Sequence, residues 1–173
     1  MFSDEDRVVE RAREIVLNQL SDGPRTRKQL LDKLSAKEIP EDVAVPVVDR
    51  FEEVGLVNDA EFAHAWVRSR HTGKGLGRAA LRQELRNKGV PNDDIIDALT
   101  DVSDDDEFER AVELARKKAR STVNLPTQKR VQRLASMLAR KGYPSEMSFR
   151  AVRVVLAEER DNLSEEMNPP ESM

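Results

Sequence analysis

From Val8 onward the apolar residues fall every three or four positions: Val8, Ala12, Ile15, Val16 and Leu20 form one stripe, and the polar run "SDGP" ends it. That period places side chains on one face of an α-helix. Ser3 with Asp6 supplies a capping pair at its start, the hydroxyl for a first-turn amide and the carboxylate for the cap's own N–H. A short second stripe, Leu30 and Leu34, opens at Thr26 with Gln29. A third, made of Val43, Val47, Val48, Phe51 and Val54, opens near Pro40, at a helix start where a missing N–H is tolerated. Pro46 lies inside this third helix and is expected to kink it or delay its start.

The same arrangement recurs twice. "LSAKEIPEDVAVPVV" from Leu34, "LRNKGVPNDDIIDAL" from Leu85 and "LARKGYPSEMSFRAV" from Leu138 align, so that Pro40, Pro91 and Pro144 coincide at separations of 51 and 53 residues. Leu30, Leu81 and Leu134 coincide one helical turn upstream. In the second copy Asn58 with Glu61 starts a helix through Phe62, Ala65 and Trp66, and helices near 77–88 and 91–102 follow. In the third, Ser103 caps a helix whose core face is Phe108, Ala111, Val112 and Ala115, followed by helices near 127–141 and 144–161. The pattern predicts an all-α protein of three tandem three-helix repeats, residues 1–57, 58–102 and 103–161, forming an elongated, curved array. Residues 162–173, an acidic tail without apolar period, are expected to be disordered.

Composition agrees with helices and limits the chemistry. Charged residues make up 36 % of the 173, and five Phe, one Trp and one Tyr leave a mostly aliphatic core. With no cysteine there are no disulfides and no thiolate metal ligands, which fits a reducing compartment. No apolar run approaches the roughly 20 residues that cross a bilayer, and the acidic "MFSDEDRVVE" is unlike a signal peptide. A cytoplasmic location without membrane contact is the expectation. His64 and His71 stand seven residues apart, about 10 Å along a helix, too far to share a metal. No nucleophile, base and orienting group form a recognisable set, so the chain is read as a non-enzyme without metal or cofactor.

Charge is arranged in blocks. Residues 92–113 carry ten acids and one Arg, whereas 116–141 carry nine Lys and Arg and no acid. Between Arg68 and Lys88 there are seven bases and one acid, Glu84. Within that stretch "GKGLGR" resembles a phosphate-binding loop only superficially, because no strand precedes it and the glycines alternate; it reads as a helix stop and a flexible turn. Arg78, Arg82 and Arg86 recur every fourth residue, a spacing at which like charges destabilise a helix by a few tenths of a kcal/mol. Folding alone gives no reason for them, and a polyanion or an acidic protein surface does. The candidate binding residues are Arg68, Arg70, Lys74, Arg78, Arg82, Arg86 and Lys88, together with Arg116, Lys117, Arg120, Lys129, Arg130, Arg133, Arg140 and Lys141 of a second basic block that also holds Lys118. Trp66 is assigned to the core, and without aromatic platforms any contact with nucleic acid would be sequence-blind.

Residues 55–99 resemble the central signature of the RecX regulatory proteins of bacteria. The resemblance lies in "GLV-D--FA" (Gly55, Leu56, Val57, Asp59, Phe62, Ala63), in Trp66 and Arg68, in the basic glycine loop with Gly73 and Arg78, and in "L---L--KGV" (Leu81, Leu85, Lys88, Gly89, Val90), followed by Ile95, Ala98 and Leu99. "AKEIP" in the first repeat departs from the pattern, lacking the glycine of "NKGVP" and "RKGYP". The resemblance implies a protein that binds the RecA–DNA filament along its groove and opposes filament growth, strand exchange and ATP hydrolysis; the chain is read as a monomer, with non-specific single- or double-stranded DNA as a candidate further partner of its basic faces. The competing reading is a winged-helix transcription regulator, since Thr26 to Val57 has the helix spacing of a helix–turn–helix. That reading requires a β-hairpin after "GLV", where "NDAEFAHAWVRSR" has helical period instead.

Overall fold

The computed structural model describes Met1 and residues 3–169. Nine α-helices occur among them: α1 (Asp4–Ser21), α2 (Arg27–Ala36), α3 (Glu41–Glu53), α4 (Asp59–Lys74), α5 (Arg78–Asn87), α6 (Asn92–Leu99), α7 (Asp104–Ala119), α8 (Thr127–Arg140) and α9 (Ser145–Met167). A short 3-10 turn, Arg120–Thr122, follows α7. No strand is present among the described residues, and Asp59–Lys74 is helical where a wing would have to be, so the winged-helix reading is set aside.

Local chemistry sets the helix starts as the spacing predicts. Ser3, Thr26 and Ser103 each form a reciprocal capping box, with Asp6, Gln29 and Asp106 respectively. Burial is absent at Asp6 and Asp106, yet the cap hydrogen bonds from Ser3 and Ser103 hold both carboxyls below the usual aspartate value. Pro40, Pro91 and Pro144 stand at the N-caps of α3, α6 and α9 with nearly identical backbones, φ −58°, −57° and −58°.

Before each of these prolines the chain makes the same turn. The residue two positions upstream is left-handed: Glu38 at φ 61°, Gly89 at 79° and Gly142 at 93°. The next residue is buried and donates its N–H back to the last aligned leucine, Ile39 to Leu34, Val90 to Leu85 and Tyr143 to Leu138, at 3.0–3.1 Å. This is a helix C-terminus closed by a left-handed residue and a buried apolar contact. Glycine takes the left-handed conformation without steric cost, and in the first repeat Glu38 bears that cost.

The chain divides into two compact units, residues 1–68 with 82–101, and residues 69–81 with 102 onward. One division therefore falls at 101/102, the end of the second repeat, and the others cut through that repeat. One joint, used once in each unit, accounts for this. In the first unit the Thr26 hydroxyl at the start of α2 donates to the Lys88 carbonyl at 2.5 Å. In the second, the Gly77 N–H at the start of α5 donates to the Lys141 carbonyl at 2.7 Å. Thr26 and Gly77 are equivalent positions, as are Lys88 and Lys141, so the start of a second helix docks on the left-handed turn of the next repeat. Gly77 is required there: a Cβ would stand 2.6 Å from the Gly142 carbonyl oxygen.

Two apolar clusters anchor the units. One joins Ala12, Val16, Leu30, Leu34, Val48 and Phe51 from α1–α3; the other joins Ala111, Ala115, Leu134, Leu138, Val152 and Val155 from α7–α9. A fully buried Leu or Val contributes about 1.5–3 kcal/mol, and packing of this kind is what holds helices as short as the eight residues of α6.

Two expectations are corrected. Pro46 does not delay α3, which begins at Glu41 with Pro46 at its sixth position, beyond the first four residues, whose N–H groups lack helical partners anyway. α9 runs to Met167, so residues 162–167 of the expected disordered tail are helical, continuing a helix already nucleated by its packed N-terminal half. Residues 170–173 lie outside the described residues. Among the described residues no helix is long and apolar enough to cross a membrane.

Candidate functional site

The segment that opened as a flexible glycine turn is tied down. Helix α4 continues through Gly73, and the loop after it is held by the second unit: Tyr143 donates its hydroxyl to the Gly75 carbonyl at 2.8 Å, the Lys141 ammonium donates to the Lys74 carbonyl at 3.0 Å, and His71 Nδ1 donates to the Leu76 carbonyl at 2.8 Å. Burial pushes the Tyr143 phenol well above its ordinary value. Arg110 completes the clamp through the Thr72 carbonyl at 2.8 Å.

The three arginines of α5 do not share one role. Arg78 turns inward: its Nε donates to Glu107 at 2.6 Å, its terminal nitrogen pairs with Asp104, and Glu107 is only 1 % exposed. Burial lowers the Arg78 guanidinium's proton affinity, and the pairs with Asp104 and Glu107 more than offset it, leaving it above its usual value. The expectation that Arg78 joins a cationic stripe is thus replaced by a fold-holding role. Arg82 and Arg86 are exposed and make no ion pair among the described residues. In the same unit Arg68 is exposed and approaches Asp101 at 3.6 Å, while the Lys88 ammonium sits 4.2 Å from the Trp66 ring centroid. Trp66 stacks on Phe62 and donates its indole N–H to Glu84 at 2.8 Å, so it is half-buried, with the edge of its ring on a polar partner. Arg70, in the second unit, is half-buried and not free.

The second basic block also separates. Arg116 is held by both oxygens of Glu158 at 3.0–3.1 Å, which raises its proton affinity. Arg130, 13 % exposed, bonds Glu159 at 2.8 Å, the Thr122 hydroxyl and the Ala119 carbonyl. Lys141 is half-buried on the Lys74 carbonyl, and Lys74 itself is exposed. Lys117, Lys118, Arg120, Lys129, Arg133 and Arg140 are exposed, and their side chains have no partner among the described residues. Lys118, Lys129, Arg133 and Arg140 line one groove of about 630 Å³ together with Gln132, Ser136 and Met137. Among the described residues no acid lines it.

Several fixing residues gave no motif in the sequence. Asp59 accepts the Arg27 N–H at 2.9 Å, and Arg27 in turn pairs with Asp49 at 2.6 Å and Glu52 at 3.1 Å, which ties α2 to α3 and α4. Burial raises the Asp59 carboxyl despite that hydrogen bond. His64 lies between Asp101, 2.6 Å from Nδ1, and Asp97, 2.9 Å from Nε2, and these two hydrogen bonds raise its proton affinity. No group of three or more His, Asp or Glu able to hold a metal occurs among the described residues.

Fold and surface define a tandem three-helix repeat protein that presents cationic faces on two compact units. The chain matches the family models of the first, second and third three-helix domains of RecX over residues 12–51, 58–99 and 104–152, and it belongs to the RecX family. It is 51 % identical over 154 residues to the regulatory protein RecX of Streptomyces lividans, covering 89 % of this chain and 82 % of that one. To the protein of the same name from Thermobifida fusca it is 48 % identical over 149 residues, 86 % and 80 % of the two chains. Among solved structures, RecX from Lactobacillus salivarius superposes with a TM-score of 0.79 at 25 % identity over 86 % of this chain and 97 % of that one. A second regulatory protein RecX gives 0.77 at 29 %, covering 86 % and 73 %.

Proposed function

We propose that this chain is a modulator, mainly a negative one, of the RecA recombinase, binding the RecA–DNA filament and limiting its assembly, strand exchange and ATP hydrolysis. The observation that carries the reading is the sorting of the basic residues. Some of the cations are consumed by the fold, and a set remains exposed and unpaired on separate repeats: Arg82 and Arg86 in the first unit, Lys118, Lys129, Arg133 and Arg140 in the second. Their family membership gives the setting, and their exposure gives the means of contact with DNA phosphates or acidic protein surface. Weak contacts on two linked units add through effective concentration when both engage one filament.

The test is titration of the full chain into RecA assembled on single-stranded DNA while ATP turnover is followed. Turnover falls with the wild-type chain. The variant Arg82→Glu/Arg86→Glu, which leaves the Arg78 pairs intact, loses most of that inhibition; unchanged inhibition would reject the role of this face.

A further inference from the structure

We infer that an open apolar groove of the first unit is a self-association site, which receives Leu17 of a second copy of this chain. This goes beyond the regulatory reading and does not depend on it.

Leu20, Pro24, Leu56, Phe62 and Ala65 line a groove of about 380 Å³ between the end of α1 and α4. The second unit contains the corresponding junction and fills it from within. Gly75 stands two residues before Gly77, as Pro24 stands before Thr26, and it lies against Leu114: a Cβ there would be 2.9 Å from Leu114 Cδ1. Arg110, one turn before Leu114 on α7, donates to the Thr72 carbonyl at 2.8 Å. Counted from the caps Asn58 and Ser103, the residue equivalent to Arg110 is Ala65, whose methyl group leaves the first junction open. What closes the second junction is an aliphatic side chain beside a cation. Apolar surface also gathers around the open groove. Leu56 in its lining, Val54 next to Gly55, and Leu17, one turn before Leu20 on α1, are each 52–58 % exposed. Covering three large aliphatic side chains on one small unit is favourable, and exposed apolar patches of this kind mark interaction surfaces.

Charge selects the occupant. The groove carries one cation and one acid, Arg25 and Glu61, and neither is in an ion pair among the described residues. Leu17 brings the complement: Glu14 and Arg13 precede it by three and four residues, on its own face of α1. Glu14 has no ion pair among the described residues, and the pair of Arg13 with Glu10, at 3.4 Å and more than half exposed on both sides, is too weak to hold it. Leu163 is the other exposed leucine on a described helix, but Glu159, one turn before it, is already held by Arg130. Leu17 therefore enters the groove of the second copy with Glu14 toward its Arg25 and Arg13 toward its Glu61. Donor and receptor share the end of α1, so a two-fold axis lets each copy give its Leu17 and take the other's. The face is small, so the pairing is weak, and the monomer expected from the sequence is the dilute form.

The experiment is sedimentation velocity of the full chain, without DNA or recombinase, from about 1 μM to about 1 mM. The wild type passes from monomer to dimer within that range. Leu17→Ala raises the dissociation constant about 30-fold or more, the loss expected for an anchor residue. Ala65→Arg, which copies the plug of the second unit, abolishes the dimer as well. Both positions are exposed, so at dilution each variant melts as the wild type does. Arg25→Glu weakens the pairing, and adding Glu14→Arg to it restores the dimer, a rescue that unspecific adhesion of apolar surface does not give. A wild type that stays monomeric, or one that grows past the dimer, overturns the site. Association lost in Leu17→Ala but kept in Ala65→Arg puts Leu17 on another surface and overturns the groove, and a double variant no better than Arg25→Glu overturns the pairing.

Discussion

Removing the Arg78 guanidinium should destabilise the second unit far more than removing any other arginine of α5. Its partner Glu107 is 1 % exposed, while the Arg78 side chain is 32 % exposed and its second partner, Asp104, is 83 % exposed. Taking one member from a fully buried pair costs about 3–5 kcal/mol because a charge is left without compensation. An exposed pair contributes about 0–1 kcal/mol. Arg78 reaches water and Glu107 does not, so Arg78→Ala is expected to cost about 2–3 kcal/mol, nearly all from the stranded Glu107 carboxylate. Glu107→Gln keeps the shape and the acceptor and is expected to cost less, about 1–2 kcal/mol. The double variant Arg78→Ala/Glu107→Gln should cost no more than Arg78→Ala alone, since the stranded charge is gone. Urea unfolding followed by far-ultraviolet circular dichroism measures all three. A loss under about 0.5 kcal/mol for Arg78→Ala, or strictly additive costs, would refute the argument. Reversing all three α5 arginines together would place a negative charge against buried Glu107 and so test folding instead of binding.

Two further outcomes follow from local geometry. Glu38→Gly relieves a left-handed residue, worth about 1–2 kcal/mol, against about 0.4–1 kcal/mol of added chain entropy, so it should stabilise the first unit by up to about 1 kcal/mol; any destabilisation in thermal melts counts against the reading. His64 is raised above its ordinary 6.5 by Asp101 and Asp97, with Arg68 the cation nearest that cluster. Its contribution to stability is therefore complete below about pH 6.5 and is lost as pH rises through the folded-state value. Urea midpoints measured from acid to alkaline pH should fall for the wild type by more than for His64→Gln, and a His64 ring that titrates at or below 6.5 in NMR would contradict this.

The repeat was legible because its marks are local. Three capping pairs and three prolines act through their own backbone neighbours, and each appears where the spacing put it. The extent of α9 was not legible, since a stably packed first half carries a polar second half that has no apolar period of its own. Nor did spacing separate Arg78 from Arg82 and Arg86, because which of three equivalent positions meets an acid depends on α7, a different stretch of chain. A signal was nonetheless present: Glu107 lies on the phase of Ala111, Ala115 and Ala119, all 0 % exposed, and an acid on a buried phase calls for a cation. In the second basic block the acids that hold Arg116 and Arg130 come from α9, 42 and 29 residues away, so charge density along the chain overstated the free surface.

The docking of Thr26 and Gly77 on successive left-handed turns bears on how such a chain could have grown. A module whose second helix begins at the inserting position and ends in the receiving turn holds both halves of its own connector. Duplicating it in tandem lengthens the protein without the invention of a new interface, and mutation is then free to recolour the outward residues of each copy separately.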